Sequence, residues 1–300
     1  MNYRVPAFLL AFALTAPAAL LARADTSALP STATVDQATT SKLVYGLLSD
    51  SRYAYRPRPL DAATSQDVFK RYLESLDSGK QFFTRDDVER FAPLAERTGN
   101  AIRSGELDPA FEVFAVYRQR VGERVAHARR LLRQEPDFTT NERFDYDRKD
   151  VPWATSAELD ELWRKSVKND WLRLRLAGKP AADIRKTLDK RYATLLKSVN
   201  EVKGEDVFSF FMNAYTRAVD PHTDYFTPRT AENFNQAMSL SLEGIGAQLQ
   251  RQDDVVVIRE IIAGGPASVD GTLKPGDRIV GVGQGRSGPV EDVIGWRIDD

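Results

Sequence analysis

From about residue 35 to residue 237, apolar side chains recur three and four positions apart, the spacing of one helix face. Phe69, Tyr72, Leu73 and Leu76 share such a face. Asp108-Pro109 reads as an N-cap followed by proline at the first helical position. Phe111, Phe114, Val121, Val125, Ala128 and Leu132 then follow at helical spacing. Thr155 and Glu158 form a capping box ahead of Leu159, Leu162, Trp163, Val167, Trp171 and Leu174. Gly178-Lys179-Pro180 ends that helix, and another runs to about Val199. A last strong stripe carries Val207, Phe210, Phe211, Ala214, Tyr215 and Ala218 before Pro221 stops it. Stripes of this kind are core-facing surfaces rather than cofactor boxes. Asp67, Asp86-Asp87 and Asp206 read as helix-start acids.

The texture changes near residue 239. Gln248-Leu249-Gln250, the β-branched run Val255-Val256-Val257-Ile258 and the alternating Arg278-Ile279-Val280-Gly281-Val282 read as strands. Gly264-Gly265-Pro266 and Lys274-Pro275-Gly276-Asp277 are turn signals. Glu291-Asp292 places acids where a helix is expected to begin. The fold class is therefore α+β: a large all-α N-terminal domain at 35–237, then a small mixed domain at 238–300.

The N-terminus bears on compartment. Arg4 precedes an apolar stretch from Val5 to Leu21, shorter than a membrane span and interrupted by Pro6 and Pro17. Ala22-Arg23-Ala24 supplies small residues where signal peptidase needs them. Residues 1–24 thus read as a signal peptide cleaved after Ala24, in preference to a membrane anchor, with no span after cleavage. Residues 25–34, rich in Ser, Thr and Ala, are expected to be disordered. Hydrophobic content of 42% supports a real core, and a net charge of −1 argues against nucleic-acid binding. The chain has no cysteine, so disulfides and thiolate metal sites are excluded. His127 and His222 have no metal-spaced partner; His127 reads as a helix-surface residue and His222 as part of a turn. No metal or other cofactor is expected.

Ser241-Leu242-Glu243-Gly244-Ile245-Gly246-Ala247 resembles the carboxylate-binding loop and first peptide-pairing strand of a PDZ domain. Gly264-Gly265-Pro266-Ala267 and the run from Leu273 to Val282 match the segments that follow in that fold. With Asp220-Pro221-His222-Thr223-Asp224-Tyr225 and Asp292-Val293-Ile294-Gly295-Trp296, the pattern is similar to carboxy-terminal processing proteases, above all the tail-specific subgroup of Gram-negative bacteria. The resemblance extends over essentially the whole chain after residue 24. It implies a periplasmic serine endopeptidase that recognises apolar C-terminal tails of proteins, and a helical domain that encloses substrate or docks a helical-repeat lipoprotein adaptor. It also implies a serine nucleophile and lysine general base beyond Asp300, so no catalytic residue is carried over. The alternative is a non-catalytic periplasmic peptide-binding or adaptor protein using the same groove.

A bound peptide extends a sheet edge as an added strand, and its terminal carboxylate needs several backbone N–H donors. Gly244 and Gly246 let the loop fold back tightly enough to aim those donors. Gly244, Ile245, Gly246 and Ala247 are therefore the candidate carboxylate-binding residues. Leu242, Ile245 and Leu249, with Val293 from a facing helix, are the candidates for the pocket of the last side chain. Four or five net hydrogen bonds of about 0.5–1.5 kcal/mol each, less the ordering cost, imply roughly micromolar binding. The expected helix from Glu291 would end on Asp299-Asp300, the wrong charge for its C-terminus, so the PDZ-like unit is expected to be incomplete. Gly283-Gln284-Gly285-Arg286-Ser287-Gly288 matches a dinucleotide fingerprint, but Pro289 follows and no long helix does, so a surface turn is expected.

Overall fold

The computed structural model describes residues 32–298 apart from Lys149, the segment 240–243, Gln284, Arg286 and Ser287. The expected signal peptide therefore lies outside the described residues, as do Leu242 and the Asp299-Asp300 pair. Of the expected disordered stretch, residues 25–31 also lie outside. The end of that stretch is ordered: Ala33 packs on the core, and Thr34 opens helix α1 (Val35–Ser49) through a capping box with Gln37.

The helices that follow are α2 (Ala62–Leu76), α3 (Arg85–Arg90), α4 (Ala92–Ser104) and α5 (Asp108–Leu131). Beyond these come α6 (Ser156–Leu176), α7 (Ala181–Asn200), α8 (Gly204–Val219) and α9 (Pro228–Ser239). The long α5 organises them into two cores. Its first half packs with α2, α4 and α8 around Tyr72, Phe83, Phe91, Ile102, Phe114 and Phe211. Its second half packs with α6 and α7 around Val121, Val125, Trp163, Trp171, Leu188 and Tyr192. Neighbouring Phe82 and Phe83 point into different cores, and the Tyr117 ring lies 5.6 and 5.7 Å from theirs.

Two buried carboxylates hold this arrangement. Asp77 accepts hydrogen bonds from the N–H groups of Gln81, Phe82 and Phe83 at 2.8, 2.8 and 3.0 Å, which fixes the turn presenting both rings. Asp87, in the first turn of α3, receives Arg120 of α5 in a fork at 2.8 and 2.9 Å. Burial pushes the Asp87 carboxyl up, but the donors from Arg120 and Thr84 outweigh it and leave the group below its usual range. Asp67, by contrast, is not a helix-start acid: it lies inside α2, bridging Arg58 at 3.3 Å and Arg71 at 3.2 Å. The Thr155–Glu158 capping box and the break at Gly178–Pro180 form as the residues predict, while α5 begins at Asp108 itself with Leu107 as its cap.

The second unit is built from strands. β1 (Ala247–Gln252), β2 (Val255–Ile261) and β3 (Arg278–Ile279) form an antiparallel sheet in the order β1-β2-β3. β4 (Gly281–Gly283) pairs with β5 (Val290–Asp292) in a separate ladder. The short helix α10 (Pro266–Asp270) closes on Gly271 in the left-handed region at φ 71°. A helical domain followed by a small unit of a few antiparallel strands gives the expected α+β class.

Two expectations are corrected here. The run 278–282 is not one strand, because its two halves join different sheets on either side of Val280. Glu291-Asp292 does not open a helix. Both residues belong to β5, where Val282 faces Glu291 and Gly281 faces Asp292. Asp292 then accepts from Ile294 N–H at 2.9 Å, an Asx turn that ends the strand. Among the described residues, Val256, Ile258 and Ala267 are the buried side chains of this unit, a thin core beside that of the helices.

Candidate functional site

Sheet order leaves β1 at an edge, paired on one side with β2 and, among the described residues, with nothing on the other. The loop entering that strand is shaped by glycine. Gly244 has φ 152° and Gly246 has φ 74°, values that side chains rarely adopt. A Cβ on Gly246 would also stand 2.9 Å from Gly265 Cα, so the loop approaches the Gly264–Pro266 turn more closely than any side chain permits. A Cβ on Gly244 would meet nothing within 4 Å.

Hydrogen bonds orient this loop. Ile245 C=O accepts from Ala267 N–H, and Gly246 C=O from Ile262 N–H, both at 2.8 Å. In a trans peptide the C=O and the following N–H point in opposite directions. The Ala247 N–H therefore faces away from β2, toward the open edge, and the Gly246 N–H faces away from Ala267 of α10. A strand edge that begins with outward amides is a template for another extended chain and for an anion at its end.

An apolar cleft of about 560 Å³ is lined by residues of all three strands of this sheet, including Leu249 of the edge strand. Leu249 from β1 and Val293 from beyond β5 both line it, with Val256, Ile279, Val282 and Trp296. The structure thus brings Leu249 and Val293 together, although Val293 sits just after a strand rather than on a helix. Ile245 is half exposed at 49% and does not line the cleft. Leu242 lies outside the described residues. Val256, Ile279, Val282 and Trp296 went unassigned as pocket residues. The β-branched run and the alternation at 278–282 carried the signal for the first three.

The other candidates fall away from this site. Gly283 pairs with Val290 in the β4–β5 ladder, while Gln284, Arg286 and Ser287 of the glycine-rich stretch lie outside the described residues. His222 is exposed in a turn where its N–H donates to Asp220 at 2.8 Å. His127 is half buried on α5, with Arg130 3.5 Å from its Nδ1. Among the described residues, no three His, Cys, Asp or Glu groups gather as metal ligands, and no helix is long and apolar enough to cross a membrane.

The model of the tail specific protease N-terminal domain matches residues 47–229, which is more than half of the chain. The chain belongs to the tail-specific protease family. A PDZ domain model matches residues 236–299. The tail-specific protease of Haemophilus influenzae is 38% identical over 248 residues, covering 82% of this chain and 36% of that protein. The carboxy-terminal processing protease CtpA of Bacillus subtilis is 40% identical over 63 residues, covering 21% of this chain and 13% of that one. The PDZ domain of a carboxy-terminal protease from Vibrio cholerae, crystallised in complex with peptide, is 57% identical. That match covers 19% of this chain and 58% of the other, with a TM-score of 0.19. The chain therefore spans about a third of the length of the tail-specific protease it matches.

Proposed function

We propose that this chain is the recognition portion of a C-terminal processing serine endopeptidase and that it captures the C-terminal tails of protein substrates. The terminal carboxylate lies against the amides between Gly244 and Ala247. The tail adds as a strand to the free edge of β1, and its last apolar side chain enters the cleft beside Leu249 and Val293. The observation that carries this reading is the combination of an unpaired edge strand, outward amides at its start and an apolar cleft alongside. Four or five such backbone bonds, after the ordering cost, correspond to roughly micromolar affinity, weak enough for release.

In this reading residues 1–24 are an export signal, 35–237 the helical domain and 238–300 the PDZ-like domain of a periplasmic protein. Cleavage by a serine–lysine dyad belongs to the part of the relatives' length that this chain does not span. The helical domain encloses substrate or docks a helical-repeat lipoprotein adaptor. Fluorescence anisotropy with labelled peptides tests the recognition step. A peptide ending in an apolar residue is expected to bind at least about tenfold more tightly than one ending in Asp, a difference of about 1.4 kcal/mol. Leu249→Asp is expected to remove that preference. Equal binding of both peptides, or an unchanged preference in Leu249→Asp, counts against the reading.

A further inference from the structure

Among the described residues, neither hydrophobic core contains a residue from beyond Tyr225, so the strand unit shares no apolar core with the helices there. What joins the two is charge. Arg251 on β1 forks onto Glu201, the C-cap of α7, with both contacts at 2.8 Å. Arg297 reaches Asp206 in the first turn of α8 at 2.7 Å. In the opposite polarity, Lys190 of α7 meets Asp253 at 2.9 Å, and Lys197 meets Asp254. Asp253 and Asp254 form the β1–β2 turn, with Asp253 at φ 55°. Two arginines of the strand unit thus sit on two acids at the α7–α8 corner, while two acids of its hairpin sit on two lysines of α7. This alternation specifies one docking register and penalises a slipped one, which would set like charges opposite each other. The Arg251 guanidinium also holds the Glu201 carboxyl below its usual range.

We propose that this charge seam is the interface that docks the PDZ unit on the helical domain and that the docking is set by ionic strength. Single exposed ion pairs are weak, because water and salt screen them and two long side chains must be ordered. A seam made almost wholly of such pairs, with no apolar core beneath it, is therefore loosened by salt. The screening length falls from about 10 Å at 0.1 M to about 3 Å at 1 M. Arg251 and Arg297 are the principal fasteners, since each is partly buried at about a quarter exposure. The inference does not rest on tail binding and holds whether or not the groove takes a peptide.

Because the chain lacks cysteine, two introduced thiols can be labelled cleanly. Lys186→Cys on α7 and Arg259→Cys on β2 are both exposed and outside the seam. Energy transfer between dyes at these sites reports docking in the full chain as sodium chloride is raised from about 0.02 to about 1 M. Transfer is expected to fall with salt. Glu201→Arg and Arg251→Glu should each lower the half-loss salt concentration by about threefold or more. The combined charge swap should restore it to within about twofold of the parent. Far-UV circular dichroism confirms that each variant keeps its helices, and the titration of the parent needs no seam variant. Transfer that stays constant across salt, or single reversals that leave the half-loss point unmoved, overturns the proposal.

Discussion

Gly246→Ala tests the loop on which the proposed tail capture depends. At φ 74° an L residue is in the left-handed region, at a cost of about 1–2 kcal/mol. The new methyl would lie 2.9 Å from Gly265 Cα and 3.2 Å from Pro266 Cδ. Comfortable carbon contacts are about 3.5–4.0 Å, so the loop and the facing turn must part by roughly 0.6 Å. That movement stretches the two 2.8 Å bonds, Ala267 to Ile245 and Ile262 to Gly246, each contributing about 0.5–1.5 kcal/mol. Together these costs amount to at most about 2–5 kcal/mol on the strand unit, and they swing the outward amides off line. Gly244→Ala is the matched control, since it strains φ without meeting any neighbour. Peptide anisotropy with urea unfolding is the assay. Gly246→Ala is expected to weaken tail binding by about tenfold or more and to lower the urea midpoint, with Gly244→Ala milder on stability. If Gly246→Ala keeps parental affinity and midpoint, the close approach does not shape the site and the reasoning fails.

Three further outcomes follow from the helical domain. Phe211→Ala empties a fully buried position whose ring stands edge-on to Tyr72 at 5.2 Å, and urea unfolding should show a loss of about 3–5 kcal/mol. Tyr72→Phe removes the donor to Ala110 C=O, 2.8 Å away and buried, and should cost about 0.5–1.5 kcal/mol in the same assay. Arg164 and Lys168 hold the Glu142 carboxyl down at about 2, against 4.5 for a free side chain. The unfolded chain therefore takes up the proton first, so this contribution is intact above pH 4.5 and fades as pH falls toward 2. Glu142→Gln should flatten the acid limb of the urea midpoint against pH within that window and leave its shape above pH 5 unchanged.

The helical half was legible where a helix buries an apolar stripe, and stripes such as Phe111 to Leu132 are written in the spacing alone. Caps were legible where side chains make them, as at Thr155. Helix α9 was missed although Pro228, Phe234 and Met238 mark it; it is short, and its side chains stay mostly exposed. The Glu291-Asp292 pair misled because acids favour helix starts only where a helix follows, and the Gly281–Gly283 partner strand decided otherwise. The tight turn at Gly244 and Gly246 was legible from sequence because glycine takes the positive φ angles that side chains rarely adopt. The place of Trp296 beside Leu249 in the cleft was not legible, since it arrives through tertiary packing. The charge seam was equally hidden: Arg251 and Glu201 are ordinary surface residues until folding sets them 2.8 Å apart.

The central claim is that backbone amides beside two glycines grip the charged end of another chain. Isothermal titration of one apolar-ended peptide, as the free acid and as the C-terminal amide, addresses that claim directly. Removing the charge while keeping the side chain should weaken binding by about tenfold or more, because a charge-assisted bond contributes about 1.5–3 kcal/mol. Equal affinity for the two forms would contradict carboxylate capture at Gly244–Ala247.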